Sequence, residues 1–497
     1  MAATGESIIT QERNRRERAE GLRRPIIVLG GMGVDISSKY LAGAVAKAGE
    51  FATLSETGGA TRIARVLQDG DLGGHVRTSL ASFPNQAMVS YAFDKFYREA
   101  GRLERVRGKL GKHYRPVPKY VLENRIDLAA GVPLVEMLTV LDAFEQVVTA
   151  RRLAQGNGFI GMNGLGKIPL PMPAALYGAM LGGADYTARG AGVKADIPAV
   201  IDTLYAGNRV DYPIAVDYAP EGSRWQQATI GFDPAPYGGS PASKPEFWAI
   251  AGTVAGAQHY VDNGAAAIVY ERRIAGGHNM PDSIPEDPYE DFLQLGVPVI
   301  MAGGAASEYG NVAQLDGAGV QIGSLFAASQ ESGLSSLERG KVVMSALLGR
   351  LQVRSDKGVS PTGYPFEVAE VEGTLSDPEV YKGRERVCDI SVLRTPYATP
   401  DDELDWRCPA DDIGKMSNRF RGPFARKKIG EAACLCNGLF ASAGMPQRDL
   451  STGVKEPSIV TLGERAGEDI RGLVAAFGRP ITAQKVIDYV RSYGVVD

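Results

Sequence analysis

The sequence predicts an α/β fold: a TIM (β/α)8 barrel with insertions on the face where its strands end, and a smaller C-terminal region that holds the cysteines. Three observations lead there. Short, continuous apolar runs recur over about 325 residues, and such runs read as buried parallel strands. Glycine supplies 61 of 497 residues, well above the usual share of about 7%, and much of it stands just after those runs. Helix-length stretches separate several of the runs, as crossover connections between parallel strands require.

The runs are, in order, PIIVL (25–29), FATLS (51–55), FIGMN (159–163), ADYTA (184–188), YPIAV (212–216), AAIVY (266–270), VPVIM (297–301) and GVQIG (319–323). Helices are predicted at 39–49, 173–183, 197–207 and from Phe247 to Asn263. Residues 1–24 form an N-terminal arm and 25–352 the barrel. Insertions at 56–157 and 218–246 follow strands and are expected on the C-terminal face of the barrel. Beyond residue 352 the βα rhythm stops, prolines and charges rise, and the region 353–497 ends in two helix-like stretches, 469–478 and 482–494.

Composition excludes several classes of function. With 44% apolar residues and a net charge of −4, the chain can bury a large core and has no general attraction to nucleic acid or anionic membrane. No apolar run is long enough for a membrane span, and residues 1–24 lack a signal-peptide core. A cytoplasmic homo-oligomer acting on a small molecule is the expectation, without nucleic-acid or membrane partners.

The candidate site residues stand at strand ends. The first strand runs into Gly30, Gly31, Met32 and Gly33, but a dinucleotide fingerprint would need glycine at position 36, which is Ile36. MAGGAAS (301–307) and VQIGSLF (320–326) follow the last two strands, where a barrel commonly cradles phosphate; Gly303, Gly304, Gly323 and Ser324 fit that role. TARGAG (187–192) is a third glycine-rich end. AGGHNMP (275–281) places His278 on a glycine-softened loop, suited to act as base or hydrogen-bond donor. His75, His113 and His259 read as structural.

In this order, GGMGVDIS, LAGAVAKAG, GADYTARGAG, AGGH, MAGGAAS and GVQIGSLF resemble the nitronate monooxygenases, formerly 2-nitropropane dioxygenases, over roughly residues 25–340. VLQDGD, LYGAML and CLCNGL are similar to a long bacterial subgroup of that family with a cysteine-containing C-terminal region. The resemblance implies a barrel that binds FMN, with the phosphate at Gly303, Gly304, Gly323 and Ser324 and the ring near Gly31, Met32 and Asn163. It also implies flavin contacts from Gly30, Gly33, Gly190, Gly192, Gly277 and Gln321, and His278 as the catalytic histidine. Leu29 departs from the pattern, since many relatives carry glutamine there. Related flavin barrels are enoyl reductases.

The cysteines Cys388, Cys408, Cys434 and Cys436 fall within 49 residues, a clustering of roughly 0.4% by chance. Zinc, an iron–sulfur cluster, buried thiols and a redox pair are all compatible with them. The stretch 95–125 has ten Lys or Arg against three Glu, so Arg102, Arg105 and Arg107 could hold the phosphate arm of NAD(P)H or of an acyl carrier.

The functional expectation is an FMN-dependent oxidoreductase that oxidises a small carbon acid such as a nitronate, the flavin being reoxidised by oxygen. The alternatives are an NAD(P)H-dependent enoyl reductase acting on a thioester, and a flavin- and metal-containing scaffold or electron-transfer partner.

Overall fold

The computed structural model describes all residues except 1–5, 21–23, 100, 102–104, 107–108, 111–112, 123–126, 128–130, 191, 193–195, 385–387, 411–431, 448–454 and 495–497. Eight parallel strands close into a barrel: β1 (Ile26–Leu29), β2 (Phe51–Ser55), β3 (Phe159–Leu165), β4 (Tyr186–Gly190), β5 (Glu246–Ala251), β6 (Ala267–Glu271), β7 (Val299–Ala302) and β8 (Gly319–Ile322). Closure is visible at Val28, which lies opposite Gln321 on β8 and Phe51 on β2. The expected (β/α)8 class is the observed one.

One strand was expected in the wrong place. YPIAV is not in the barrel; Val210–Pro213 pairs antiparallel with Thr229–Phe232 in a separate hairpin. Pro213 has no N–H to donate, and a barrel strand is paired on both sides, so an outer hairpin suits it better. The fifth barrel strand is EFWAIA (246–251), which the sequence assigned to a helix from Phe247 to Asn263. The apolar run hides a break at Gly252-Thr253: Thr253 is extended, and its hydroxyl accepts the Gly256 N–H to cap the helix Val254–Asp262.

The ring outside the barrel starts with α1 (Lys39–Lys47), capped by Ser38. The segment 56–157 holds α2 (Gly59–Gln68) and α3 (Leu134–Ala154), and α3 belongs to the ring, packed between α1 and α4 (Met172–Gly182). The glycine of LYGAML makes the last contact possible. A Cβ on Gly178 would stand 2.3 Å from the Val140 carbonyl oxygen, so only glycine lets α4 approach α3 so closely. Arg62 on α2 bonds Asp142 at 2.8 Å and Glu145 at 2.8 Å on α3, tying α2 to the ring through buried charge.

Inside the barrel the lower layer is aromatic. Tyr186 stacks on Trp248 with centroids 3.8 Å apart, and Phe51 on Phe159 at 4.3 Å. The N-terminal arm closes this end. Its helix Ile8–Glu20 places Ile9 in the same cluster, and Arg16 pairs with Glu50 at 3.0 Å. Burying one such isoleucine contributes about 1.5–3 kcal/mol.

The C-terminal region lies against the opposite, open end. Phe366–Ala369 pairs with Val353–Asp356, and Glu367 donates its N–H to the Gly277 oxygen at 2.9 Å, which fastens the region to the loop after β6. Helix α5 (Leu435–Ser442) follows, then α6 (Ala466–Phe477) and α7 (Ala483–Ser492). Among the described residues, no helix is long and apolar enough to cross a membrane.

Candidate functional site

A cavity of about 210 Å³ opens at the C-terminal ends of the strands, where a barrel's catalytic groups gather. An apolar cavity of about 150 Å³ already admits benzene, so a ring-sized group can enter. Every barrel strand, or the loop just after it, contributes to the wall.

Gly30, Gly31, Met32 and Gly33 come from β1, Asn163 from β3, Gly190 from β4, and Gly277 with His278 from the loop after β6. Gly303 and Gly304 follow β7, and Gln321, Gly323 and Ser324 complete the ring from β8. Only Gly192 among the expected residues is not on this wall; its nearest neighbour would be the Lys167 side chain. Gly31 packs directly on Asn163, with a Cβ there only 2.2 Å from the Asn163 Cβ. Asn163 is itself held by donating Nδ2–H to the Ala188 oxygen at 3.1 Å.

At the other rim, Gly303 and Gly304 adopt φ of +90° and +58°, left-handed conformations that favour glycine. The Ser324 hydroxyl oxygen accepts the Gly463 N–H at 2.8 Å, so its own proton remains available to an anion.

His278 is fixed by Ser360, whose hydroxyl lies 2.6 Å from Nε2, and by the edge of Phe366, 4.9 Å between centroids. Burial, aided by the charge of Lys167, lowers its pKa to about 3. The imidazole is therefore neutral at pH 7, which favours hydrogen bonding over a role as proton reservoir.

The sequence reading overlooked Glu271, at the end of β6 on the cavity wall. Burial pushes its carboxyl up to about 7, against the opposing charge of Lys167. Lys167, on the loop after β3, is lowered by burial to about 8. A single acidic residue directly after AAIVY was the available signal for Glu271, because a charge that ends a buried strand faces the mouth.

The C-terminal region contributes Phe366, Val392, Leu393, Cys436, Leu439, Phe440 and Thr461 to the same wall. Thr461 accepts the Gly277 N–H at 2.9 Å and so braces the histidine loop. No local pattern in the sequence brings these residues to the barrel.

The expected metal centre finds no support among the described residues. Among the described residues, no group of three or more His, Cys, Asp or Glu is placed to hold a metal ion. Cys388, Cys408, Cys434 and Cys436 are near enough to influence one another's charge, but Cys388 Sγ bonds the Ser391 hydroxyl at 3.1 Å and Cys408 packs with Cys434 among alanines. Burial pushes the Cys434 thiol up to about 12 and the Cys436 thiol well above its ordinary value.

Of the basic stretch, Arg102 and Arg107 lie outside the described residues, and only the backbone of Arg105 is described.

No protein-family model matches the chain, and no curated protein matches it. Among solved structures it is similar to FabK from Thermotoga maritima, at 15% identity and TM-score 0.46, over 97% of this chain and 95% of that one. It is also similar to nitroalkane oxidase from Streptomyces ansochromogenes, at 11% identity and TM-score 0.44, over 95% and 96%. The enoyl reductase domain of MlnA from Bacillus amyloliquefaciens follows at 11% identity and TM-score 0.35, over 74% and 68%. Likenesses this distant carry no argument about activity, and the chain's place in the (β/α)8 class rests on its own closed sheet of eight parallel strands.

Proposed function

We propose that the protein is an FMN-dependent oxidoreductase that oxidises a small carbon acid, with a nitronate as the first candidate. The observation that carries this reading is the convergence of glycine-bearing ends of β1, β3, β4, β6, β7 and β8 on one cavity beside a neutral histidine.

The residues fit the cofactor. Gly303, Gly304, Gly323 and the Ser324 hydroxyl would hold the phosphate, and Gly31, Met32 and Asn163 would wall the ring. FMN, when bound, supplies the electron acceptor that no side chain here can be. The chain supplies position, dryness and proton control. Leu165, Ile168, Leu393 and Phe440 keep water from the reacting carbon. His278 offers a hydrogen bond to the polar end of the substrate. A nitronate arrives already deprotonated at carbon, so Glu271, poised near neutrality, would hold or donate a proton at its carboxyl oxygen beside the substrate's polar end.

The test is an anaerobic titration of the purified protein, followed by its visible spectrum. A flavin band that a nitronate bleaches and NADPH leaves intact supports the reading. Rapid bleaching by NADPH would replace it with enoyl reduction, and a protein that stays colourless after incubation with FMN would end the flavin assignment.

A further inference from the structure

Beside the first cavity lies a second, of about 200 Å³. It sits between the loops after β2 and β3, the segment 118–120, the segment 214–217 after the outer hairpin, and residues 390–396 of the C-terminal region. Gly58, Ile168 and Val392 belong to the walls of both cavities, so the two adjoin at these residues.

The charge on the second wall is one-sided. Lys119, Lys167 and Arg394 line it, while its one carboxylate, Asp217, is already engaged by Arg407. Lys167 makes no hydrogen bond or ion pair among the described residues; its ammonium stands over the Tyr364 ring, 3.4 Å from the centroid. Among the described residues, Lys119 reaches only a carbonyl oxygen, that of Cys388, at 3.5 Å. Arg394 donates to the Tyr120 oxygen at 2.6 Å and stacks on Trp406 at 4.3 Å, which fixes its guanidinium at the rim. The charge of Glu271, on the first cavity's wall, acts on Lys167, but burial pushes that carboxyl up to about 7, so the partly buried ammonium is incompletely offset and an arriving anion relieves the remaining cost. Val135, Pro169, Ile214 and Ile390 give the wall an apolar part, beside the hydroxyl-bearing Thr61, Thr139, Ser391 and Thr395.

We propose that the second cavity binds the anionic end, carboxylate or phosphate, of an aliphatic substrate whose reactive carbon reaches the first cavity past Ile168. Lys167, beside the partition, is the principal anion contact, and Lys119 and Arg394 complete the field. The ligand pocket stands on its own geometry; its service as a substrate subsite rests on the oxidoreductase reading above. Within the oxidoreductase reading, a carbon acid with a longer, anion-bearing tail would use this chamber, and a short nitronate would leave it unused.

Titration calorimetry of the full chain with octanoate, octyl phosphate and the neutral octanamide tests this, with flavin content recorded separately from absorbance. The expected result is binding of one or both anions, weakened at least about tenfold in Lys167→Met and several-fold in Lys119→Gln, and weakened by added salt. A preference for octyl phosphate would identify a phosphorylated arm, and a preference for octanoate a free acid. Octanamide binding as tightly as the anions, or anion affinity unchanged in both variants, would overturn the proposal. Anion binding by a protein that never takes up flavin would keep the pocket and defeat only the oxidoreductase reading.

Discussion

Glu56 and Arg189 form a bidentate pair across the mouth of the barrel, with Arg189 Nη1 and Nη2 each donating to a Glu56 carboxylate oxygen at 2.8 Å. The side chains are 4% and 1% exposed. They join the end of β2 to the end of β4 over the intervening β3, and β3 must carry glycine beneath them. A Cβ on Gly164 would lie 2.0 Å from Glu56 Oε1. The pair thereby sets the loop through Thr57 and Gly58 that walls the main cavity.

Breaking this pair from one side should be more harmful than removing it whole. Arg189→Met leaves a buried carboxyl without its partner and should lower stability by about 3–5 kcal/mol, while the double variant Glu56→Gln, Arg189→Met should recover part of that loss. Denaturant midpoints of the two single variants and the double variant decide the matter. A double variant as unstable as the sum of the single ones would show that the pair is not coupled.

Gly31→Ala should damage flavin uptake rather than folding. The added Cβ collides with Asn163, and the ring wall must shift, whereas the barrel core is untouched. The flavin-to-protein absorbance ratio should fall several-fold with the far-UV dichroism unchanged, and Asn163→Gly in the same chain, which removes the Cβ that the new methyl group meets, should restore part of it. An unchanged ratio in Gly31→Ala would remove Gly31 from the ring site.

Glu136 gives stability a pH dependence with a definite sign. It accepts the Tyr237 hydroxyl at 2.7 Å, and burial pushes its carboxyl from an ordinary 4.5 up to about 7. The folded state then binds the proton more tightly than the unfolded state. Its stabilising effect is complete below about pH 4.5 and is lost as pH rises through 7, with a total of up to about 3 kcal/mol. Glu136→Gln mimics the protonated form and keeps the acceptor, so it should be the more stable protein at pH 8 and equal to the parent at pH 4. Melting curves that differ equally at both pH values would contradict this.

Cys434 and Cys436 should resist alkylation in the folded protein. Iodoacetamide attacks the thiolate, and burial holds both groups protonated at pH 8. Peptide mapping after brief exposure should find these two unmodified, and both should label once the chain is denatured. Native labelling of the pair at the rate of a free thiol would mean that the region opens in solution.

Much of the barrel was legible because a buried parallel strand writes itself into the sequence as a short apolar run with glycine behind it. PIIVL, FATLS and GVQIG are read correctly on that basis. YPIAV misled because it has the same apolar signature, and only its proline distinguishes an outer hairpin from a barrel strand. EFWAIA was absorbed into its neighbouring helix because short apolar runs do not declare their period. The C-terminal region offered no comparable signal, since Phe366, Val392 and Thr461 reach the cavity from chain positions far beyond β8.

Local spacing, together with residue types whose backbone freedom is fixed chemistry, is enough to read the class of fold and the glycine-bearing strand ends that could form a site. The fold alone decided that the C-terminal region walls the cavity, that burial keeps His278 neutral and Glu271 near its midpoint, and that burial raises the thiols of Cys434 and Cys436. Those outcomes depend on distance through space, desolvation and neighbouring charge, and the order of residues along a chain carries none of the three until the chain has folded.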